Sequence, residues 1–378
     1  MSMFSGVPGA VTSEAGDVQH YGNPFSEQRD LTEGGIVALL NNEVLVLTGP
    51  DRLTWLDSIT SQALARLQPG ESAESLVLSP NGRVEHSFRI VDDGATAYLL
   101  LGPGESESLE AWLLRMRFMR QVEIENASDR LATIAWVPND SLQELPHATA
   151  TWVDPWPETT PGGYRYGAVI GEWSMRQSLV PRSLLEAGDP RTLFGVSTVA
   201  GTIALEALRV AAARPSMQEV DETTIPHELD WLATAVHLSK GCYRGQETVA
   251  KVHNLGAPPR RLTFLHLDGS ENVLPKPGDA IELETVHVGT VTASAQHYEL
   301  GPIALGVLKR SVDPSASLVV RTHDGEQEVL VAAGQETIVP PTAGGTARPP
   351  RLPRLGAVRR PRPASAPEAP SAAPSSPE

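Results

Sequence analysis

The chain has 378 residues, 40% of them hydrophobic, with a single cysteine and a formal net charge of −16. That length holds one to three domains and a sizeable core, while the acidic balance argues against general nucleic-acid binding without excluding a local basic groove. One cysteine excludes a disulfide framework and a four-thiolate cluster, and it places the chain in a reducing compartment.

Residues 1–19 are rich in Gly, Ser and Ala and read as a disordered leader. They lack the charged and apolar regions of a signal peptide, and no run reaches the roughly 18–20 apolar residues of a membrane span, so the expectation is cytoplasmic with no membrane partner. Residues 44–47 (Val-Leu-Val-Leu) read as a buried strand. Pro50 then opens a helix on which Leu53, Leu56, Ile59, Ala63, Leu64 and Leu67 recur at helical spacing, up to the stop at Pro69-Gly70. Strands are expected at 76–78, 84–91 and 97–101. The turns between them carry Asn81-Gly82 and Asp93-Gly94, the strongest short-range hairpin signals, so this is an antiparallel meander. A helix over 107–118 follows, with Leu109, Trp112, Leu113 and Met116 on one face, and then strands at 121–125 and 132–137.

Residues 138–166, with five prolines, read as loop. Helices are expected near 182–186, over 199–213 and over 246–255, the last with Gly256 as its stop. From residue 261 the pattern changes to short, regularly spaced strands, which suggests a small barrel or sandwich. The domains read as an α+β body in two parts over 20–255, a C-terminal β-barrel over 258–336, and a disordered Pro/Arg/Ala-rich tail over 338–378.

The chemistry concentrates in 240–247, Lys-Gly-Cys-Tyr-Arg-Gly-Gln-Glu. Two glycines let the backbone turn tightly around Cys242. A helix start just beyond the thiol, together with Lys240 and Arg244, favours the thiolate and hence a nucleophile. The alternative is a small apolar residue packed under a turn. Ten histidines show no metal-ligand spacing and no Gly-x-Ser-x-Gly elbow occurs, so a dedicated metal site and a hydrolase elbow are not expected.

The octapeptide resembles the signature of the YgfZ family of folate-binding proteins, relatives of the glycine-cleavage T-protein (aminomethyltransferase). Further segments carry the likeness: Gly49-Pro50-Asp51-Arg52 with 56–62, Ala207-Leu208-Arg209 with Ile225-Pro226-His227-Glu228, and in the barrel 288–294 and 303–306. Residues 20–312 are covered. The resemblance implies a T-protein-like α+β body around a folate cleft, with tetrahydrofolate or another reduced folate as cofactor and no stably bound metal or cluster. It also implies partners among iron–sulfur proteins or cluster-assembly factors.

By the same resemblance, Cys242 is the functional thiol with Lys240 and Arg244 beside it. Glu85, His86, Glu206, Arg209, Glu228, Tyr243 and Gln246 are the candidate folate-binding residues. Glu85-His86 stands where the relatives carry Asp-Asp, and Ala211 stands where they carry the acid that holds the pterin. The presence of Cys242 and the replaced Asp favour an accessory role in iron–sulfur protein assembly or repair over aminomethyl or other one-carbon transfer, while Ala211 implies weaker folate binding than in a T-protein. On the residues alone, Arg209 also reads as an ion-paired surface arginine, and Glu228 as an acid complementing a helix dipole.

Overall fold

The computed structural model describes residues 2–347. A hairpin of β1 (Val11–Thr12) and β2 (Val18–His20) leads through α1 (Pro24–Thr32) to β3 (Ile36–Leu39) and β4 (Glu43–Thr48). After α2 (Arg52–Ile59) come β5 (Ser72–Leu78), β6 (Val84–Asp92) and β7 (Thr96–Leu101), then α3 (Ser106–Met116), β8 (Glu123–Asn126) and β9 (Leu131–Trp136). The first sheet has the order β5-β6-β7-β4-β8, all antiparallel.

β4 shows why this region reads as one continuous apolar run. Its alternate residues Leu45 and Leu47 pack with Trp55 and Leu56 of α2 and Leu109 and Leu113 of α3. Val44 and Val46 face the other way, toward Trp152 and Leu179 of a second sheet. A strand covered on both faces has no polar alternation.

The second sheet adds β10 (Ala150–Val153) and β11 (Arg176–Pro181) in the order β10-β11-β9-β3. Next come α4 (Pro190–Phe194), α5 (Thr202–Ala211) and α6 (Gln246–Asn254). The C-terminal strands are β12 (Arg260–Leu267), β13 (Ala280–Leu283), β14 (Val286–His297), β15 (Gly301–Lys309), β16 (Leu318–Asp324) and β17 (Gln327–Thr337). They close into a barrel in the order β12-β15-β14-β13-β16-β17. A central cluster welds the parts together: Leu76 and Leu78 of β5, Val210 of α5, Trp231, Tyr243, Val249 of α6, and Phe264 and Leu305 of the barrel are all buried in it.

Four expectations need correction. Residues 1–19 are not a loose leader, because Phe4 is fully buried against Phe194 and Val18 lies in the same cluster; one aromatic inserted in a core offsets much of the ordering entropy of a short segment. The helix expected to run to residue 67 ends at Ile59, since Thr60 is extended and Ser61 turns away to donate its hydroxyl to the Ala235 carbonyl. Residues 138–166 are not all loop, for β10 pairs along β11. The tail does not begin at 338: Ile338, Val339 and Ala343 are buried in the central cluster. The remainder of that expected tail, 348–378, lies outside the described residues.

Candidate functional site

Gly245 is the N-cap of α6 at φ +86°, and a Cβ there would lie 2.7 Å from the Ser79 carbonyl oxygen and 2.9 Å from Gly82 Cα. Only glycine allows this approach, so the motif docks α6 directly onto the Asn81-Gly82 turn between β5 and β6. Immediately before it, Cys242 is exposed, which removes the reading as a packed core thiol. It lines a pocket of about 280 Å³ with Ser58 and Ile59 from the end of α2, Met116 from the end of α3, and Tyr243 and Arg244. The Trp55 indole donates to the Met116 carbonyl at 3.1 Å and holds those two helix ends together.

Lys240 does something other than what the motif suggests. Its side chain is buried, and Nζ donates to the carbonyls of Asp57, Thr60 (3.0 Å) and Gln62 (2.6 Å). It therefore satisfies carbonyls that the early end of α2 leaves open. Burial holds its pKa below the ordinary lysine value. Tyr243 is a core residue, 5.6 Å from that ammonium at its ring centre, with its phenol pushed up by burial. Gln246 donates to the Lys240 carbonyl at 3.3 Å and so braces the loop.

Arg244 is the motif's outward-facing cation. It pairs with Glu85 of β6 through two contacts of 2.9 and 3.3 Å, each side chain about one third exposed. The pairing of β5 with β6 shifts register at Glu85; beyond it Ser87 and Arg89 share a face of β6 and reach the wall of a cavity of about 420 Å³. The other walls are Gly102, Pro103 and Glu105 after β7, Trp173 ahead of β11 and Gln177 on it, Leu205, Glu206 and Arg209 of α5, and the segment 214–218.

The cavity floor is an ion-pair network. Arg214, buried, donates to Glu74 at 2.7 Å and to Asp154 at 2.9 Å, and the Trp173 indole donates to the same Asp154 oxygen at 2.7 Å. Arg209 is clamped by Glu206 (2.7 Å) and Glu219 (3.1 Å). Burial alone would lower the pKa of Arg209, but Glu219 and Glu206 outweigh it and raise it. Two charged groups of the wall, Arg89 and Glu105, make no close salt bridge among the described residues, although each feels the other's charge. The Arg89 guanidinium lies over the Trp152 ring, 5.5 Å from its centre, and burial lowers its pKa against the pull of Glu74, Asp154 and Glu105. Glu105 accepts only the Gly102 N–H, and burial raises its carboxyl. Gln177 Oε1 is buried without a donor.

The candidate residues therefore divide. Cys242, Arg244 and Glu85 come together at the start of β6, and Glu206 and Arg209 line the cavity. His86 lines neither place; it is half-buried, and burial holds its pKa down. Glu228 is fully buried, paired with Arg260 of β12 at 2.8 Å, and joins body to barrel. Ala211 packs on the central core and is absent from the cavity wall. Sequence reasoning missed Arg89, Glu105, Asp154, Trp173, Gln177 and Arg214. A hint existed only for Arg89, an arginine set within the apolar run 88–91.

No family model matches the chain. It is 23% identical over 339 residues to a putative chloroplastic transferase of Arabidopsis thaliana, covering 84% of this chain and 75% of that protein. To an aminomethyltransferase of Rippkaea orientalis it is 26% identical over 313 residues, covering 74% of this chain and 80% of the relative. Against the tRNA-modifying protein YgfZ of Pectobacterium atrosepticum identity is 31% over 130 residues, a third of this chain and 38% of the relative. The fold superposes on the glycine cleavage system aminomethyltransferase T of Bartonella henselae with a TM-score of 0.65 at 15% identity, over 87% of this chain and 94% of that one. The chain is thus similar in sequence to aminomethyltransferases over most of its length and to YgfZ over a third of it, and it has the fold of aminomethyltransferase T. The aminomethyltransferase likeness runs through body and barrel, whereas the YgfZ likeness is stronger per residue over a shorter stretch. Among the described residues no group of three or more His, Cys, Asp or Glu is placed to hold a metal, and no helix is long and apolar enough to cross a membrane.

Proposed function

We propose that the protein binds a reduced folate, tetrahydrofolate, in the central cavity and supports the assembly or repair of iron–sulfur proteins in the cytoplasm, with Cys242 as its working thiol. The observations behind this reading are an exposed thiol whose near neighbour Arg244 pairs with Glu85 of β6, and a cavity to which the same strand contributes Ser87 and Arg89. The wall fits a folate. The Trp173 side chain offers an aromatic face for a pterin, the orphaned Gln177 oxygen and the Glu105 carboxylate are acceptors for its N–H groups, and Arg89 is a cation for the anionic tail. Bound there, the folate would supply a one-carbon carrier.

The second reading is a folate-dependent aminomethyl or one-carbon transferase or demethylase, favoured by the likeness to aminomethyltransferases over most of the chain. Such chemistry calls for a free acid near the reacting nitrogen. Glu85 is neutralised by Arg244 and Glu206 by Arg209, which leaves Glu105 as the cavity carboxyl without a close salt bridge. The accessory reading uses the exposed thiol and the transferase reading does not.

Calorimetric titration with tetrahydrofolate, followed in parallel by tryptophan quenching, should show saturable binding that Arg89→Ala weakens about 10-fold or more, the loss expected when a charged hydrogen-bond donor is removed. Absence of binding near millimolar folate would sink both folate readings. Cys242→Ser should leave the melting temperature nearly unchanged, because the side chain is exposed. It should also lower the activity of iron–sulfur enzymes in cells that depend on this protein. Full complementation by the serine variant would take the thiol out of the function and leave the transferase reading standing.

A further inference from the structure

The turn that follows α3 carries an unusual surface. Phe118 is 81% and Met119 98% exposed, with Leu114 at 45% beside them on the last turn of the helix. Large apolar side chains held this far out, and adjacent, are uncommon on a free surface and frequent at interfaces. Phe118 sits at φ +46°, a backbone conformation a bulky residue rarely adopts, so the aromatic ring is presented at a constrained turn. Three arginines surround it. Arg115 and Arg120 are exposed, Arg117 donates to the Val122 carbonyl at 3.3 Å, and none of the three has a carboxylate partner among the described residues. Beneath the turn, residues 117–123 and 48–50 bound a groove of about 530 Å³.

We propose that this turn and groove form a docking surface for an acidic protein partner that inserts an apolar side chain between Phe118 and Met119 while its carboxylates meet Arg115, Arg117 and Arg120. The charge argument selects the occupant. The chain as a whole carries −16, yet these unpaired cations cluster on one apolar turn, which is the local complement of an acidic, apolar-anchored surface. An RNA backbone would meet the cations but leave Met119 and Leu114 without an apolar partner, and a flat lipid surface would leave the groove beneath the turn unfilled.

The surface is continuous with the thiol. Met116, one residue before this turn, lines the Cys242 pocket, so a partner seated on Phe118 lies against the entrance to Cys242. The surface stands on its own residues; its role in presenting a partner to the thiol rests on the function proposed above.

The molecule carries its own reporters, because Met116 and Met119 are two of its six methionines. Full-length protein labelled at the methionine methyls should be titrated with a short synthetic peptide of glutamates and leucines. The Met119 and Met116 signals should shift saturably, and Cys242 alkylation should slow in the bound state. The double variant Arg115→Glu/Arg120→Glu should weaken the peptide about 10-fold or more, and Phe118→Ser should do likewise with its circular dichroism unchanged. Four results would overturn the proposal: no Met119 shift up to millimolar peptide; equal binding of a polyglutamate lacking leucine; stronger shifts with duplex RNA or with phosphatidylglycerol vesicles; or a concentration-dependent shift without any probe, accompanied by dimer mass in sedimentation, which would make a second copy the occupant. Tetrahydrofolate titration of Phe118→Ser separates the two ideas. Folate binding with peptide binding lost leaves the cavity reading intact, whereas peptide binding by wild-type protein that binds no folate leaves only the docking surface.

Discussion

Arg214→Ala is expected to lower the unfolding free energy by about 3–5 kcal/mol, the cost of leaving buried charges without their counter-ion. Arg214 is 3% exposed and its two partners, Glu74 and Asp154, are 3% and 7% exposed. Burial alone would lower the guanidinium pKa, but Asp154 and Glu74 outweigh it and hold the group protonated. Removing the cation strands two carboxylates. The same change frees the Asp154 oxygen that orients the Trp173 indole, so tetrahydrofolate binding should fall together with stability. Urea unfolding of the alanine variant measures the first effect. The triple variant Glu74→Gln/Asp154→Asn/Arg214→Met provides the control, since it removes all three charges and should recover most of the loss. A loss below about 1 kcal/mol for Arg214→Ala would mean that water reaches the network and the cavity floor is not sealed.

Asp230 should make the protein less stable as pH rises through neutrality. It is fully buried at φ +57°, its carboxyl accepts the Tyr166 N–H at 2.8 Å, and the Arg165 guanidinium stands 3.6 Å away. Burial pushes its pKa up to about 7, against the opposing pull of the Tyr166 N–H and of Arg165. The native state therefore keeps a proton that the unfolded chain has already lost above about pH 4. Between about pH 4 and 7 the native protein binds more protons than the unfolded one, so stability declines over that window, by at most about 4 kcal/mol at 1.36 kcal/mol per unit. Asp230→Asn should flatten that slope and gain relative stability at pH 8. Melting temperatures of both proteins from pH 4 to 8 test this, and parallel curves would show that Arg165 keeps Asp230 ionised throughout.

The local elements were legible because each is fixed by residues a few positions apart. Asn81-Gly82 and Asp93-Gly94 set the meander, alternating residues of 84–91 and 97–101 set its strands, and the helix after Gly245 runs from Gln246 to Asn254 as its apolar spacing required. Strand length and spacing after residue 261 left a barrel or a sandwich open, the family resemblance implied a barrel, and the strands close into one. Where local pattern and distant contacts disagreed, the distant contacts won. Helical spacing from Leu53 to Leu67 is present in the sequence, but Lys240 and Ala235 bind the chain at 57–62 and end the helix at Ile59.

The sequence by itself determined that Cys242 lies in a glycine-bracketed turn ahead of a helix, that an α+β body precedes a barrel, and that the motif belongs with folate-binding relatives. It did so because backbone conformation, strand alternation and turn chemistry are local properties. Only the tertiary structure decided which charges make a site. Lys240, two residues from the thiol, is committed to carbonyls about 180 positions back in the chain, while Arg244 reaches Glu85 across 159 positions. Arg89 lines a cavity whose floor joins residues 74, 154 and 214, and it feels the carboxylates of Glu74 and Asp154 without a close salt bridge. A charge reads the same in sequence whether paired or free, and its pairing depends on Coulomb interactions over a few ångströms between residues that only the folded chain brings together.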